Sequence, residues 1–273
     1  MFEPLIRSFW YNPSMFEAII MGIVEGITEF LPVSSTGHLI LAGDVLGFTG
    51  DVAKTFEVFI QLGAILAVLW FYREKMSSTI KGIGTEKTNR FLLNLLIAFL
   101  PAAFFGFLTH SYIKRYLFSP LTVAFALIAG GIAIFVIERL VKKSRVLDVD
   151  EISYKHAFGI GMAQTLSLFP GVSRAGATIM GGMCIGLERK VATEFSFFLA
   201  IPTMFAATSY DLLKNIDHLT AGDFPVFAVG FFVSFFSALI VIKAFLGFVK
   251  GHTFDTFAIY RIIFGSVVLF YYF

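Results

Sequence analysis

The sequence contains a single cysteine, Cys184, and few charged residues. Only 15% of its 273 residues are charged, and the formal net charge is +2. One cysteine cannot form an internal disulfide and does not supply a thiolate metal site. A net charge this small gives no extended basic surface of the kind that binds nucleic acid. The scarcity of charge also argues against a soluble domain, in which about a quarter of the residues are charged.

Apolar residues replace the missing charges. Hydrophobic residues make up 57% of the chain, and phenylalanine alone occurs 35 times. The mean hydropathy is +0.82, so we expect most of the surface to contact lipid. The first residues, MFEPLIR, lack the basic start and the small-residue cleavage site of a signal peptide. Insertion is therefore expected to depend on internal spans.

Six continuous apolar stretches are long enough to cross a bilayer, which requires about 20 apolar residues. They cover roughly residues 55–72, 91–110, 117–137, 194–212, 223–243 and 254–273. The sequence therefore predicts an all-α integral membrane protein with six transmembrane helices. We expect residues 1–273 to form a single membrane domain.

Two further apolar regions are interrupted by proline, glycine and serine. The region 16–48 is broken by LPVSSTGH at 31–38, and the region 156–187 is broken by FPGVSRAGAT at 169–178. Each apolar arm has about 12–15 residues, which is too short to span the bilayer alone. Lipid does not tolerate irregular backbone, so a break must be buried in protein or line a wet cavity. Each region is therefore predicted to be a re-entrant helical hairpin.

The two broken regions belong to an internal repeat. A displacement of 139 residues aligns residues 22–59 with 161–198 without a gap and gives twelve identities, where chance would give about three in so biased a composition. The halves, about 16–137 and about 156–273, each contain one hairpin and three spans. Because three is odd, the halves must have opposite orientations. This is the inverted-repeat plan of secondary transporters, in which the site lies near the midplane where broken helices meet.

The basic residues predict the orientation of the chain. Lysine and arginine are concentrated in 73–90 and 138–156, and such segments stay in the cytoplasm. Both termini are then outside, the first hairpin enters from outside, and the second enters from inside. Lys114 and Arg115 also fall outside, against the rule.

Two acidic residues, Glu25 and Glu29, lie four residues apart in the first arm of the first broken region and share one helical face. An acid at membrane depth costs on the order of 3 kcal/mol and is functional by default. Like charges on one face add to this cost. The alternative is a partly solvated pair near the interface that serves the fold.

The first break contains the hydroxyl and imidazole groups Ser34, Ser35, Thr36 and His38. Serine and threonine at such a position often cap the following helix, and we expect this role for Ser34 and Thr36. Ser35 and His38 lie close in sequence to Glu29, and a Ser–His–Glu set can activate a nucleophile. The spacing leaves open whether Ser35 or His38 attacks, and a histidine at a break can also be purely structural.

The second break contains Arg174, flanked by Gly171, Ser173 and Gly176 at the start of a helical arm. Glycine-rich backbone at a helix N-terminus offers N–H donors to an anion. The planar guanidinium adds a bidentate fork that suits phosphate. The alternative is a structural arginine that pairs with one of the glutamates.

The two breaks resemble the two signature motifs of the bacterial undecaprenyl-diphosphate phosphatases, also called bacitracin-resistance proteins. EGITEFLPVSSTGH at 25–38 matches (E/Q)-x-x-x-E followed by P-x-S-S-T-G-H, and PGVSRAGAT at 170–178 matches P-G-x-S-R-S-x-x-T except at Ala175. Ala175 replaces a serine of the motif, so that hydroxyl cannot be indispensable here. The resemblance covers nearly the whole chain.

The resemblance implies a phosphatase of the bacterial inner membrane. Its members hydrolyse undecaprenyl diphosphate to the monophosphate carrier of peptidoglycan synthesis, require a divalent cation, confer bacitracin resistance and are held to face the periplasm. Together with the residue chemistry, it predicts catalytic residues Ser35, Glu29, His38 and Arg174. It predicts substrate-binding residues Arg174, Ser173, Ser34, Thr36, Gly171 and Thr178. A diphosphate would be repelled by two carboxylates, so Glu25 and Glu29 are expected to hold Mg²⁺ or Ca²⁺.

Two other classes compete with this interpretation. An inverted repeat also suits a transporter or flippase of a polyprenyl phosphate lipid. A membrane phosphatase of the acid-phosphatase type is rejected because Met180 stands where that pattern requires histidine. The expected partners are a polyprenyl diphosphate and membrane lipid, without nucleic acid, and the sequence leaves open whether the protein forms a homodimer.

Overall fold

A computed structural model describes residues 14–141, 144–215 and 221–273. Within these ranges the chain is helical, without a strand beyond one isolated bridge between Val146 and Leu187. The predicted all-α class is confirmed. The N-terminal residues 1–13, Lys142 and Lys143 of the second basic segment, and most of the predicted outer loop 214–222 lie outside the described residues.

The first half of the described chain contains six helices. They are α1 (Met15–Thr28), α2 (Ser35–Leu46), α3 (Asp51–Phe71), α4 (Arg73–Lys81), α5 (Glu86–Tyr116) and α6 (Pro120–Leu140). The second half contains five, with short 3-10 turns between some of them. They are α7 (Tyr154–Gln164), α8 (Arg174–Cys184), α9 (Arg189–Asn215), α10 (Phe224–Phe248) and α11 (Asp255–Tyr272).

Six of these helices, α3, α5, α6, α9, α10 and α11, are long and apolar enough to cross a membrane. They coincide with the six predicted spans, which are confirmed, and the protein is a multi-pass membrane protein. Large apolar side chains point outward from them, for example Phe232, Phe236 and Ile240 on α10. Such side chains would be unfavourable in water and are stable against acyl chains. Pro101 and Pro202 lie inside α5 and α9.

The two broken regions form the short helix pairs α1/α2 and α7/α8, with the breaks at the predicted positions. Each break ends at a serine with a positive φ, 72° at Ser34 and 75° at Ser173. A non-glycine residue in this region is uncommon and often marks a functional segment. Each side chain caps the next helix: the Ser34 Oγ accepts from the Gly37 N–H at 3.4 Å, and the Ser173 Oγ accepts from the Gly176 N–H at 3.0 Å. The predicted capping role of Ser34 is confirmed.

Each broken region packs mainly against a long helix of the other half of the chain. Helix α1 packs along α10, and α7 packs along α5, while α3 pairs with α9 and α6 pairs with α11. These pairs match under the displacement of 139 residues. The re-entrant course of the hairpins and the opposite membrane orientation of the halves stay predictions.

Glycines at equivalent positions allow these crossed contacts. A Cβ on Gly22 would lie 2.7 Å from the Gly230 carbonyl oxygen of α10, and a Cβ on Gly161 would lie 2.6 Å from the Ala98 carbonyl oxygen of α5. Small residues let helix backbones approach closely in a membrane, where van der Waals packing drives association. The repeat is therefore visible in packing as well as in sequence.

The two basic segments meet on one face of the molecule. The Asp150 carboxylate accepts from the Lys87 Nζ at 2.7 Å and from the Lys75 Nζ at 3.3 Å, and Arg90 donates to the Asp150 carbonyl oxygen. Partial burial raises the pKa of Asp150, but the hydrogen bonds from Lys87 and Lys75 outweigh it and hold the pKa below its ordinary value. Both basic segments therefore lie on the same side of the protein.

Candidate active site

The two breaks bring three predicted residues into contact. Glu29 directly follows α1, Ser35 begins α2, and Arg174 begins α8. The Ser35 Oγ donates to the Glu29 Oε2 at 2.5 Å, and the Arg174 Nη2 donates to the Glu29 Oε1 at 3.1 Å, across 145 residues of sequence. Each of the two carboxylate oxygens of Glu29 therefore accepts one hydrogen bond, one from each break.

This cluster lies almost entirely out of solvent. The exposed fraction is 6% for Ser35 and 8% for Glu29, and it is 10% for the Arg174 side chain. Charges attract strongly in such an environment, and removing one partner leaves an uncompensated buried charge. The hydrogen bond from Ser35 to Glu29 is the contact needed for a carboxylate to take a proton from a nucleophilic hydroxyl.

Further contacts fix the orientation of Arg174. Its Nη1 donates to the Ser196 carbonyl oxygen at 2.9 Å and to the Ser196 Oγ at 3.2 Å. The Arg174 Cζ lies 5.7 Å from the centre of the Phe30 ring, within the range of a cation–π interaction. The buried Nε has no hydrogen-bond partner among the described residues. This N–H is therefore available to an incoming anion.

Sequence analysis did not single out Ser196. It is fully buried on α9, and its hydroxyl lies 2.7 Å from the Thr178 Oγ1. Thr178 in turn donates to the Arg174 carbonyl oxygen at 2.9 Å. The one available signal was a polar residue inside the apolar span 194–212, at the position equivalent to Glu57 in the repeat.

Glu25 lies one helical turn before Glu29 and is completely buried. Neither of its carboxylate oxygens has a hydrogen-bond partner among the described residues. Within the described ranges no three His, Cys, Asp or Glu side chains form a ready metal cluster. Mg²⁺ is nevertheless commonly held by one or two carboxylates together with substrate phosphates. The unpartnered oxygens of Glu25, with Glu29 beside it, therefore offer the oxygen ligands that a divalent cation requires.

His38 faces a different set of groups from Ser35. Its Nδ1 lies 2.7 Å from the Ser34 carbonyl oxygen, and its Nε2 lies 2.6 Å from the Tyr260 hydroxyl. Because a carbonyl oxygen only accepts, Nδ1 carries the hydrogen and Nε2 accepts from Tyr260. The ring also stacks on Phe264 at 4.1 Å between centroids. Both nitrogens of the His38 ring thus have hydrogen-bond partners. The group that contacts the Ser35 hydroxyl is Glu29, not His38.

Comparison with known proteins agrees with the resemblance of the two motifs. Residues 18–267 match the family model described as Bacitracin resistance protein BacA. The chain belongs to this family.

Several curated relatives in the BacA family are similar over nearly the full length. A protein of Aromatoleum aromaticum named undecaprenyl-diphosphatase is 55% identical over 253 residues, 92% of each chain. One of Nitrosospira multiformis with the same name is 56% identical over 256 residues, 93% of this chain and 94% of the relative. A protein of Paramagnetospirillum magneticum named undecaprenyl-diphosphatase 2 is 52% identical over 254 residues, 93% of this chain and 97% of the relative.

The remaining predicted binding residues of this BacA-family chain lie at the breaks. Ser34 and Ser173 cap α2 and α8 with their hydroxyls, and Thr36 is half-buried in the first turn of α2. Gly171 has a φ of 93°, and a Cβ there would lie 2.7 Å from the Val123 carbonyl oxygen, so this position needs glycine. The first N–H groups of α2 and α8 have no partner within their helices, which suits anion binding. The substrate-binding roles of these residues stay predictions.

Proposed function

We propose that this protein hydrolyses undecaprenyl diphosphate to undecaprenyl phosphate and inorganic phosphate. The observation that carries the proposal is the contact of Glu29 with both Ser35 and Arg174 across the two breaks. The relatives named undecaprenyl-diphosphatase support the substrate. This activity recycles the lipid carrier of cell-wall synthesis and confers resistance to bacitracin. One chain contributes both breaks, so the proposed site needs no second copy.

The first step is an in-line attack of the Ser35 Oγ on the terminal phosphorus. Glu29 takes the hydroxyl proton as the new bond between oxygen and phosphorus forms. The bond from the terminal phosphorus to the bridging oxygen breaks, and the electron pair leaves with undecaprenyl phosphate. Glu29 passes the proton to that leaving group. A free hydroxyl is too weak an acid to attack unaided, which is why the contact at 2.5 Å matters.

In the second step water releases the phosphate from Ser35. Glu29, again ionised, takes a proton from the water as its oxygen attacks phosphorus. The Ser35 Oγ leaves and recovers that proton from Glu29, which restores the starting state. Inorganic phosphate is the product, and one water is consumed for each undecaprenyl diphosphate hydrolysed.

Arg174 stabilises the charge that both steps place on the phosphoryl oxygens. Phosphoryl transfer relies mainly on positioning and on electrostatic stabilisation of the equatorial oxygens. The free Nε of Arg174 and the N–H groups at the start of α2 and α8 are the donors for this purpose. Glu25 and Glu29 would hold the divalent cation, which supplies further positive charge against the diphosphate.

Phosphate release tests the proposal and separates it from transport. The purified protein in detergent with Mg²⁺ or Ca²⁺ should release inorganic phosphate from undecaprenyl diphosphate. Excess chelator should lower the rate about 10-fold or more, because the cation stabilises the transferring group. No phosphate release under either condition would favour a lipid transporter or flippase instead.

Two matched variants examine the cation without relying on turnover. Mg²⁺ or Ca²⁺, added together with inorganic phosphate, should raise the melting temperature of the wild type, since a ligand that binds the folded state stabilises it. The shift should disappear in Glu25→Gln and Glu29→Gln. In the turnover assay Glu29→Gln should be the more damaging, because Glu29 also contacts Ser35. A normal cation shift in both variants would place the cation elsewhere.

The proposed location is the bacterial inner membrane, with the site open to the periplasm. The basic segments that meet at Asp150 would be cytoplasmic, by the positive-inside rule. Both termini would be periplasmic, and the two breaks would meet near the midplane.

Cysteine labelling tests this orientation. In a Cys184→Ala background, Tyr112→Cys should react with a membrane-impermeant maleimide from the periplasm, whereas Ile80→Cys should react only after permeabilisation. Both positions are exposed on the structure, so accessibility reports the side. Labelling of both from the same side would contradict the orientation.

A further inference from the structure

Arg261 on α11 is a buried arginine that sequence analysis did not single out. Its exposed fraction is 1%. All five of its N–H donors bond to backbone carbonyl oxygens. Nε donates to Leu127 at 3.2 Å, Nη1 donates to Pro32 and Val172 at 3.0 Å, and Nη2 donates to Ala126 and Gly171 at 3.0 Å. A guanidinium has five such donors in one plane, so none remains for substrate.

The five carbonyl groups belong to three separate segments. Pro32 lies in the first break, Gly171 and Val172 lie in the second break, and the other two lie on α6. Arg261 therefore links both breaks to each other and to α6. Irregular backbone at membrane depth needs partners for its polar groups. One side chain supplies three of these partners at the two breaks.

We propose that Arg261 is a positioning residue for the phosphatase reaction, and that it sets the separation of the two breaks. This inference rests on the proposed function. Val172 directly precedes Ser173, which precedes Arg174, so the bond from Arg261 to Val172 fixes the start of α8. The bond to Pro32 fixes the segment between Glu29 and Ser35. Arg261 thereby holds Arg174 in register with the Ser35–Glu29 pair.

The hydrogen bonds from Arg261 to the two breaks and to α6 are called the clamp below. Because the peptide group is planar, the clamp has a second effect. The C=O and N–H groups of a trans peptide point in opposite directions. Because the Val172 carbonyl is turned toward Arg261, the Ser173 N–H points to the opposite side. The negative ends of these carbonyl dipoles are directed at Arg261.

Gly130 makes room for this arrangement. A Cβ at this position on α6 would lie 2.1 Å from the Arg261 Nη2 and 2.6 Å from its Cζ. Real Cβ contacts are not this short, so Gly130→Ala must displace a guanidinium that five hydrogen bonds hold in place. The clamp can therefore be disturbed without altering Arg261.

Two test variants and two matched controls examine the clamp. Arg261→Lys keeps the positive charge but loses the planar fork, and Gly130→Ala pushes the fork aside. Gly247→Ala adds the same methyl group inside α10, where a Cβ meets nothing within 4 Å. Arg189→Lys alters another arginine, one that pairs with Glu138 and makes no bond to the breaks.

Hydrogen–deuterium exchange and steady-state kinetics are the measurements. Both test variants should accelerate deuterium uptake about 10-fold in peptides covering 31–38 and 169–178, since a lost anchor favours local opening. They should also lower kcat about 10-fold or more, because a displacement of a catalytic group by about 1 Å can slow a reaction by that factor or more. KM should change less than about 3-fold. Both controls should leave exchange at the breaks and kcat unchanged.

The outcomes separate this proposal from the proposed function. If the wild type released no phosphate, accelerated exchange confined to the breaks would still support the clamp while the phosphatase activity failed. Normal kcat in both test variants, or acceleration spread evenly over all spans, would overturn the positioning role. If Arg261→Lys does not fold, Gly130→Ala decides. Failure of both to fold would assign Arg261 to the fold alone and overturn the proposal.

Discussion

Ser35→Ala should lower kcat at least about 100-fold while the protein stays folded. The variant removes the hydroxyl that donates to the Glu29 Oε2 at 2.5 Å, and losing an activated nucleophile costs at least about two orders of magnitude. Phosphate release from undecaprenyl diphosphate measures the effect. Undecaprenyl diphosphate labelled in its terminal phosphate gives a second readout. After acid quenching, the label should remain attached to the wild-type protein but not to Ser35→Ala.

Its neighbour provides the matched control. Ser34→Ala removes a helix cap, worth about 1 kcal/mol of stability, and should lower turnover less than Ser35→Ala does. Loss of turnover in Ser35→Ala with no label trapped on the wild type would make Ser35 the residue that positions an attacking water. Near-normal turnover in Ser35→Ala, combined with loss in His38→Ala, would move the nucleophile to His38.

Arg174→Ala should also lower kcat at least about 100-fold. The guanidinium supplies the charge that stabilises the phosphoryl oxygens, and removing such a donor costs about 10²–10³ in rate. Arg174→Lys keeps the charge but loses the fork that reaches Glu29 and Ser196 together. We expect Lys to restore part of the rate, with a deficit of about 10-fold.

Stability must be measured beside the rate for this residue. Arg174→Ala leaves the Glu29 carboxylate buried without its partner, which costs about 3–5 kcal/mol. Glu29→Gln in the Arg174→Ala background removes the orphaned charge and should recover most of the melting temperature but none of the rate. Recovery of the rate in this double variant, or wild-type turnover in Arg174→Ala, would exclude the catalytic role of Arg174.

The helices and breaks were predictable because each depends on local composition. An uninterrupted apolar run of about 20 residues has few alternatives to a spanning helix. Likewise Ser35 and Arg174 begin α2 and α8 where proline, glycine and serine had placed the breaks. The contact of Glu29 with Arg174 was among the alternatives considered, because both carry charge at membrane depth.

The choice of base and the supporting residues could not be predicted. His38 is close to Glu29 in sequence, yet its Nε2 accepts from Tyr260, 222 residues away. Arg261 bonds only to carbonyl oxygens, which every residue has, so its partners leave no pattern in the sequence. Ser196 is one of several polar residues in the predicted span 194–212, and only its contact with the Arg174 guanidinium distinguishes it from the others.

The crossed packing of the halves has a consequence for how the protein is made. Helix α1, with Glu25 and Glu29, rests against α10, which the ribosome synthesises some 200 residues later. Until the second half of the chain is made, two acidic side chains must therefore remain at the membrane without their packing partner. During that time the translocon must shield them, or they must stay near water. For the same reason neither half can complete its own packing. Two halves produced as separate polypeptides should instead assemble with each other, as the fragments of a split protein do.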